Sequence, residues 1–150
     1  MEIRKLRPDE APPVELLWLA DPCKVFVDDY IQRGQCYVAD RDGGIIGEYV
    51  LLPTRPATVE LVNVAVAERE QGKGVGKLLV LDAIKQAKLL GYKTVELGTG
   101  SSGVAQLALY QKCGFRITGI DIDFFVRHYE EEIWENGIRL KDMVRLSLDV

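Results

Sequence analysis

The chain has 150 residues, 47% hydrophobic and 28% charged, with a formal net charge of −4. That size suits one ordinary domain, and the composition excludes a collagen-like, fibrous or wholly disordered chain. The mildly acidic balance, with no clustering of Lys and Arg, argues against a nucleic-acid partner, while a few local donors can hold a small anion whatever the total charge.

Ile3 and Leu6 lie among charged residues before Pro8 and predict a first, edge strand. Pro12-Pro13 can open a short helix through Leu16, Leu17 and Leu19, which Pro22 stops. Val25 to Arg33 predicts a second short helix ended by Gly34. From Gln35 the period shortens. Cys36 to Ala39 is a strand, Asp42-Gly43-Gly44 a hairpin turn, and Ile45 to Leu52 the returning strand, ended by Pro53. Thr58 to Val66 follows as a third long strand, so an antiparallel meander is expected. Val75 to Leu90 is a helix, with Leu79, Ala83, Ala87 and Leu90 on one face and Gly91 as its stop. Thr94 to Gly98 is a strand, Val104 to Lys112 a helix stopped by Gly114, Phe115 to Asp123 a strand and Asp142 to Leu148 a last one. Phe124 to Gly137 is aromatic-rich and has no clear period. The alternation predicts a mixed α/β layer structure.

Cys23, Cys36 and Cys113 are odd in number and none lie at metal-motif spacing. They predict reduced thiols and neither a disulfide framework nor a metal site. Met1 to Pro8 has no apolar signal-peptide core, and no apolar run approaches the ~20 residues that span a bilayer. The expectation is a cytoplasmic protein with no membrane partner.

The segment Val62-Asn63-Val64-Ala65-Val66-Ala67-Glu68-Arg69-Glu70-Gln71-Gly72-Lys73-Gly74-Val75-Gly76-Lys77 leads a strand through a glycine turn into the long helix. Such a turn aims backbone N–H groups and the positive helix end at one place, which suits a phosphate or pyrophosphate. Side chains at the glycine positions would hold the anion off the backbone. A Walker A loop is excluded, because Leu78 stands where Ser or Thr is needed and Gln71 stands at the leading glycine. The dinucleotide fingerprint fails at Lys77 or Leu79, depending on its start.

Gln71-Gly72-Lys73-Gly74-Val75-Gly76 resembles the Q/R-x-x-G-x-G/A acetyl-coenzyme A loop of the GNAT superfamily of N-acetyltransferases. Gln106 to Phe115, with its Ala108-Leu109-Tyr110 and Gly114-Phe115, resembles a second segment of that family, and the order and spacing of the two agree. The resemblance covers essentially the whole chain and is nearest to small Bacillus-type members. It implies one acyl-coenzyme A N-acyltransferase domain, residues 1–150. The implied fold is a mixed, mostly antiparallel central sheet of about seven strands flanked by about four helices. Acetyl-coenzyme A is the implied co-substrate, and no metal is called for. The pantetheine arm would pair with backbone at Val64, Ala65 and Val66, and an N–H near Val66 would polarise the thioester carbonyl. The pyrophosphate would sit on Gln71, Gly72, Lys73, Gly74, Val75, Gly76 and Lys77. Tyr110 would act as general acid for the leaving thiolate.

Glu60 alternates with Val62, Val64 and Val66, is expected on their face, and is the candidate general base. Asn63 points to the other face, as a polar cross-strand partner. His128, the single histidine, and the acidic run Glu130-Glu131-Glu132 fall in the late loop, where the resemblance puts part of the acceptor region. Ser101 stands where the family often has Asn, and could contact the cofactor or cap the helix at Val104. The expected activity is direct acetyl transfer in a ternary complex to an amine acceptor, a small molecule or a peptide amino group. A non-catalytic acyl-coenzyme A binding or sensor module is the alternative. Family resemblance also allows a homodimer through the last strand.

Overall fold

The computed structural model describes all residues 1–150. The chain divides into two compact units, Met1–Val95 with Val150, and Glu96–Asp149. The first holds β1 (Glu2–Lys5), α1 (Val14–Ala20), α2 (Lys24–Arg33), β2 (Gln35–Arg41), β3 (Gly44–Arg55), β4 (Thr58–Val66) and α3 (Val75–Leu89). Its strands run in the order β1-β2-β3-β4, every neighbour antiparallel. The meander read from the sequence is therefore present. Strand β3 does not end at Pro53; it continues to Arg55. Pro53 is exposed beside a register irregularity, where a missing N–H breaks no ladder bond.

Both faces of this unit are covered. Leu17, Val27 and Tyr30 of α1 and α2 pack with Cys36, Val38, Val50 and Leu52 of β2 and β3. Each such buried apolar side chain contributes roughly 1.5–3 kcal/mol. Gly34 lets α2 close onto the sheet, because a Cβ there would meet the Leu51 carbonyl oxygen at 2.7 Å. On the opposite face α3 packs against β3 and β4 through Val75, Leu79, Val80, Ala83 and Ala87. Leu90, expected on that face, is the exposed C-cap instead. Tyr49 lies wholly buried there, donates its hydroxyl to Asp82 Oδ2 at 2.7 Å, and stacks on Tyr37.

The second unit takes most of β5 (Thr94–Gly100), then α4 (Val104–Lys112), β6 (Arg116–Asp121), α5 (Phe124–His128), β7 (Trp134–Glu135), β8 (Ile138–Arg139) and β9 (Met143–Asp149). Its strand order is β5-β9-β6, with β6 and β9 antiparallel, and β7-β8 form a separate hairpin. The aperiodic stretch 124–137 is thus a short helix plus most of a hairpin. Asn136 and Gly137, with φ of 54° and 73°, make the turn that left-handed backbone favours. Seven sheet strands, mostly antiparallel, give the mixed α/β fold that the sequence predicts; the helices number five, the extra one being α5.

A break in register gives β4 its shape. Val50 pairs with Asn63, but Leu51 pairs with Leu61, so Val62 is an extra residue on β4. Such a bulge interrupts the strict alternation of faces. Glu60 pairs with Leu52 and Asn63 with Val50, so both lie on the α1–α2 face; Val62 packs there too. Val64 and Val66 pair with Tyr49 and Gly47 and lie on the α3 face. Glu60 therefore does not share a face with Val64 and Val66, contrary to the expectation from period two.

Candidate active site

The strand end, the turn and the helix start form one construction. After β4 the chain makes a 3-10 turn at Glu68–Glu70, held by Glu70 N–H donating to Ala67 O at 2.8 Å. Gln71 Nε2 reaches back to Val66 O at 3.0 Å. Gly72 (φ 77°) and Gly74 (φ 86°) follow in left-handed backbone, and a Cβ on either would project into open space. Gly74 is the N-cap of α3, and no side chain caps the helix. The first-turn N–H groups at Val75, Gly76 and Lys77 thus present their positive end to whatever occupies that space. Val75 is buried and anchors the helix start.

One cation of the turn and one from β2 meet on a single carboxylate. Lys73 Nζ and Arg41 Nη1 both bond Glu70 Oε2, at 3.2 and 3.0 Å. Lys73 above all, then Arg41, holds the Glu70 carboxyl below its usual range. Arg41 lies at the end of β2, near neither motif in sequence, and pattern reading could not have brought it here.

Strand β4 offers its backbone in a defined sense. Ala67 N–H donates to Ile46 O across β3, so the amides of Ala65 and Ala67 face β3. Backbone groups alternate along a strand, and those of Val64 and Val66 turn to its other edge. The three residues expected to meet the pantetheine arm therefore divide: Val64 and Val66 turn N–H and C=O to the edge away from β3, where Gln71 already bonds the Val66 carbonyl, and Ala65 does not.

The candidate base, Glu60, is half-buried on the α1–α2 face. Asn63 is 4% exposed and donates to Leu17 O at 3.0 Å and to the Tyr30 hydroxyl at 2.8 Å. The amide nitrogen of Asn63 thus finds its partners in the helix pair. Cys36 is buried, and burial, reinforced by the Glu48 carboxyl, pushes its thiol up to about 12, so it is an inert core residue. Glu48, which sequence reasoning passed over, is wholly buried in the middle of β3.

In the second unit Tyr110 closes α4, 8% exposed, edge-on to Phe115 with ring centroids 6.2 Å apart. Ser101 is exposed and its amide donates to Asp142 O. It does not cap α4; Gly103 is the N-cap, without a side-chain bond. Ser102 beside it is buried instead. Its carbonyl accepts Asn136 Nδ2 at 2.7 Å and its hydroxyl donates to Glu135. This ties the β7–β8 hairpin to the head of α4, and the Asn136-Gly137 pair was the available signal for it. Phe124, Phe125, His128 and Tyr129 form one aromatic group, with Arg145 over the Phe124 ring. Glu130, Glu131 and Glu132 are exposed, and Glu132 pairs with Arg139. No His, Cys, Asp and Glu residues gather into a metal-holding group, and no helix is long and apolar enough to cross a membrane.

Comparison with known proteins gives the family. The profile of the Acetyltransferase (GNAT) family matches residues 2–115. The N-acetyltransferase YvbK of Bacillus subtilis is 62% identical over 136 residues, covering 91% of this chain and 88% of its own. A Bacillus subtilis acetyltransferase solved with coenzyme A is 57% identical, with a TM-score of 0.93 over 99% of both chains. An Elizabethkingia anophelis GNAT acetyltransferase solved with acetyl-coenzyme A is 45% identical, with a TM-score of 0.97 over 99% of this chain and 97% of its own. The chain belongs to the GNAT family of N-acetyltransferases.

Proposed function

We propose that this protein moves the acetyl group of acetyl-coenzyme A directly onto an amine within a ternary complex, in the cytoplasm, with residues 1–150 acting as one acyltransferase domain. The observation that carries the reading is the uncapped start of α3, opened by Gly72 and Gly74 in left-handed backbone and tied to β4 by Gln71. The coenzyme A and acetyl-coenzyme A held by the solved relatives support the choice of donor. In this reading the pyrophosphate rests on Gln71 to Lys77, and the pantetheine arm pairs with the outward edge of Val64 and Val66. Ala65 contributes strand geometry alone, and Ser101 contacts the cofactor from ahead of α4.

The chemistry follows from the residue types. The neutral amine attacks the thioester carbon, and the Val66 N–H takes up the developing oxyanion charge. Glu60 accepts the proton the amine sheds. The carbon–sulfur bond breaks, and the thiolate takes the Tyr110 hydroxyl proton. The position of Glu60 on the face covered by α1 and α2 supports its role, because family resemblance puts the acceptor among those helices.

Two measurements test the proposal. Saturating acetyl-coenzyme A at about 100 times its Kd should raise the melting temperature by roughly 5–10 °C. Free-thiol release is then followed across polyamines, aminoglycosides, amino acids, peptides and indole acids, and one class should turn over. No melting shift refutes the proposal outright. Binding with no thiol release from any class replaces it with a non-catalytic acyl-coenzyme A module.

A further inference from the structure

Four buried polar atoms without a hydrogen-bond partner lie in the first unit: Trp18 Nε1, both oxygens of Glu48, and Asn63 Oδ1. They concentrate on one face. Asn63 bonds into the α1–α2 pair, Trp18 packs against the cluster formed with those helices, and Glu48 influences Tyr30 and Cys36 of that cluster. Unsatisfied groups this concentrated call for an account, since each costs about 1–3 kcal/mol if left unpaired.

The directions of the bonds can be deduced in turn. The Asp21 carboxylate only accepts. Its Oδ1 takes the Cys23 N–H at the head of α2, and its Oδ2 takes the Tyr30 hydroxyl hydrogen at 3.1 Å. With its hydrogen committed, the Tyr30 oxygen accepts from Asn63 Nδ2 at 2.8 Å. The Leu17 carbonyl also only accepts, and it takes the other Asn63 Nδ2 hydrogen at 3.0 Å. The amide nitrogen of Asn63 is thereby fixed, and its Oδ1 must find a donor on the far side. Glu48 pairs with Ala65 across β3 and β4, while Asn63 pairs with Val50. Glu48 and Asn63 are therefore diagonal neighbours on one face, within reach of long side chains, and the small Ala65 side chain leaves the path open. A carboxylic acid carrying its proton offers one O–H donor.

We propose that Glu48, Asn63, Tyr30 and Asp21 form one hydrogen-bonded chain, in which the acid hydrogen of Glu48 serves Asn63 Oδ1, and that this chain positions the β4 bulge against the α1–α2 pair. Each member donates to the next, and the run ends on the Asp21 carboxylate just ahead of α2. Burial alone raises the Glu48 carboxyl well above its ordinary range, which keeps the donor in place at neutral pH. Asn63 directly precedes Val64, so the chain sets the outward edge offered by Val64 and Val66. The hydrogen-bond chain stands on geometry alone, whereas its consequence for the cofactor rests on the acetyl-transfer reading.

Difference infrared spectroscopy of the intact protein at neutral pH tests the chain. Subtracting the spectrum of Glu48→Gln should reveal the carbonyl stretch of a neutral acid, and Asn63→Leu should shift that band. A pair of carboxylate stretches for Glu48, or a band indifferent to Asn63→Leu, overturns the chain. Glu48→Gln keeps a donor and so stands as the conservative variant if Asn63→Leu fails to fold. Calorimetry with acetyl-coenzyme A tests the positioning role. Glu48→Leu should weaken binding by ~5-fold and Glu48→Gln should restore most of it. Equal affinity for wild type, Glu48→Leu and Glu48→Gln overturns positioning. A wild-type protein that does not bind acetyl-coenzyme A refutes the acetyl-transfer reading instead, and leaves the infrared result to decide the chain.

Discussion

Gln71 Nε2 donates to the backbone carbonyl of Val66 at 3.0 Å, and so ties the glycine turn to the end of the strand expected to meet the pantetheine arm. Gln71 is thus a brace between the glycine turn and the end of β4, the two parts of the proposed cofactor site. Gln71→Ala removes that brace from an exposed position, so global stability should hardly change. The turn loses its fixed offset from β4, and acetyl-coenzyme A affinity should fall by roughly 3- to 10-fold, the equivalent of one ordinary hydrogen bond. Calorimetry alongside a melting curve separates the two effects.

Gly74 should be the least replaceable residue of the turn. Its φ of 86° strains any side chain, and its Cβ would project into the open space before α3. Gly74→Val should cost about 1–2 kcal/mol of stability for the left-handed backbone. It should also lose acetyl-coenzyme A binding altogether, because the valine occupies the approach to the helix N-terminus. A folded Gly74→Val protein with undiminished affinity would remove the turn from the cofactor site.

Glu70 holds Lys73 and Arg41 on a single oxygen, and its own negative charge stands beside the proposed pyrophosphate site. Glu70→Gln removes the charge that holds both cations and, with it, a repulsion on the phosphates that water and salt partly screen. Affinity for acetyl-coenzyme A should rise roughly two- to fivefold at low salt, and the gain should fade as salt screens the charges. A titration repeated across ionic strength reads both halves of this expectation.

Tyr110→Phe keeps the edge-on packing against Phe115 and removes only the hydroxyl. If Tyr110 is the acid, kcat should fall by roughly 10²-fold, while the Kd for acetyl-coenzyme A stays near its wild-type value. Unchanged turnover in this variant assigns the proton to another donor.

The legible and illegible parts of the chain differ for physical reasons. The glycine turn and α3 could be read because φ above zero and an amphipathic period both leave marks in residue type at short range. The faces of β4 could not. Period two placed Glu60 with Val64, whereas one extra residue at Val62 returns it to the face of Asn63. A bulge has no residue signature here, since Leu61-Val62-Asn63 is unremarkable strand sequence. Glu48 was hidden for another reason. β3 is buried on both faces, so even a carboxylate on it is enclosed, and alternation gives no warning. The β7–β8 hairpin was marked by Asn136-Gly137, but its strands are only two residues long and show no period.

The pH dependence of stability should expose Glu48 directly. Its carboxyl is raised well above the unfolded value near 4.5, through burial. The groups facing it are Tyr30 of α2 and Cys36 of β2, both raised and neutral, with Asn63 of β4 and, beyond Tyr30, the Asp21 carboxylate; Lys24 lies over the Trp18 ring. The folded state therefore holds the Glu48 proton more tightly than the unfolded chain does. That contribution is fully present below about pH 4.5 and is lost progressively as pH rises from there toward the raised folded value. Glu48→Gln cannot ionise and is exempt from the loss. The melting temperature of wild type should accordingly fall behind that of Glu48→Gln as pH increases from 5 to 9, with each ~1 kcal/mol appearing as roughly 2–4 °C. Parallel curves over that range would mean that Glu48 titrates alike in folded and unfolded chains, and would remove the neutral acid from the core.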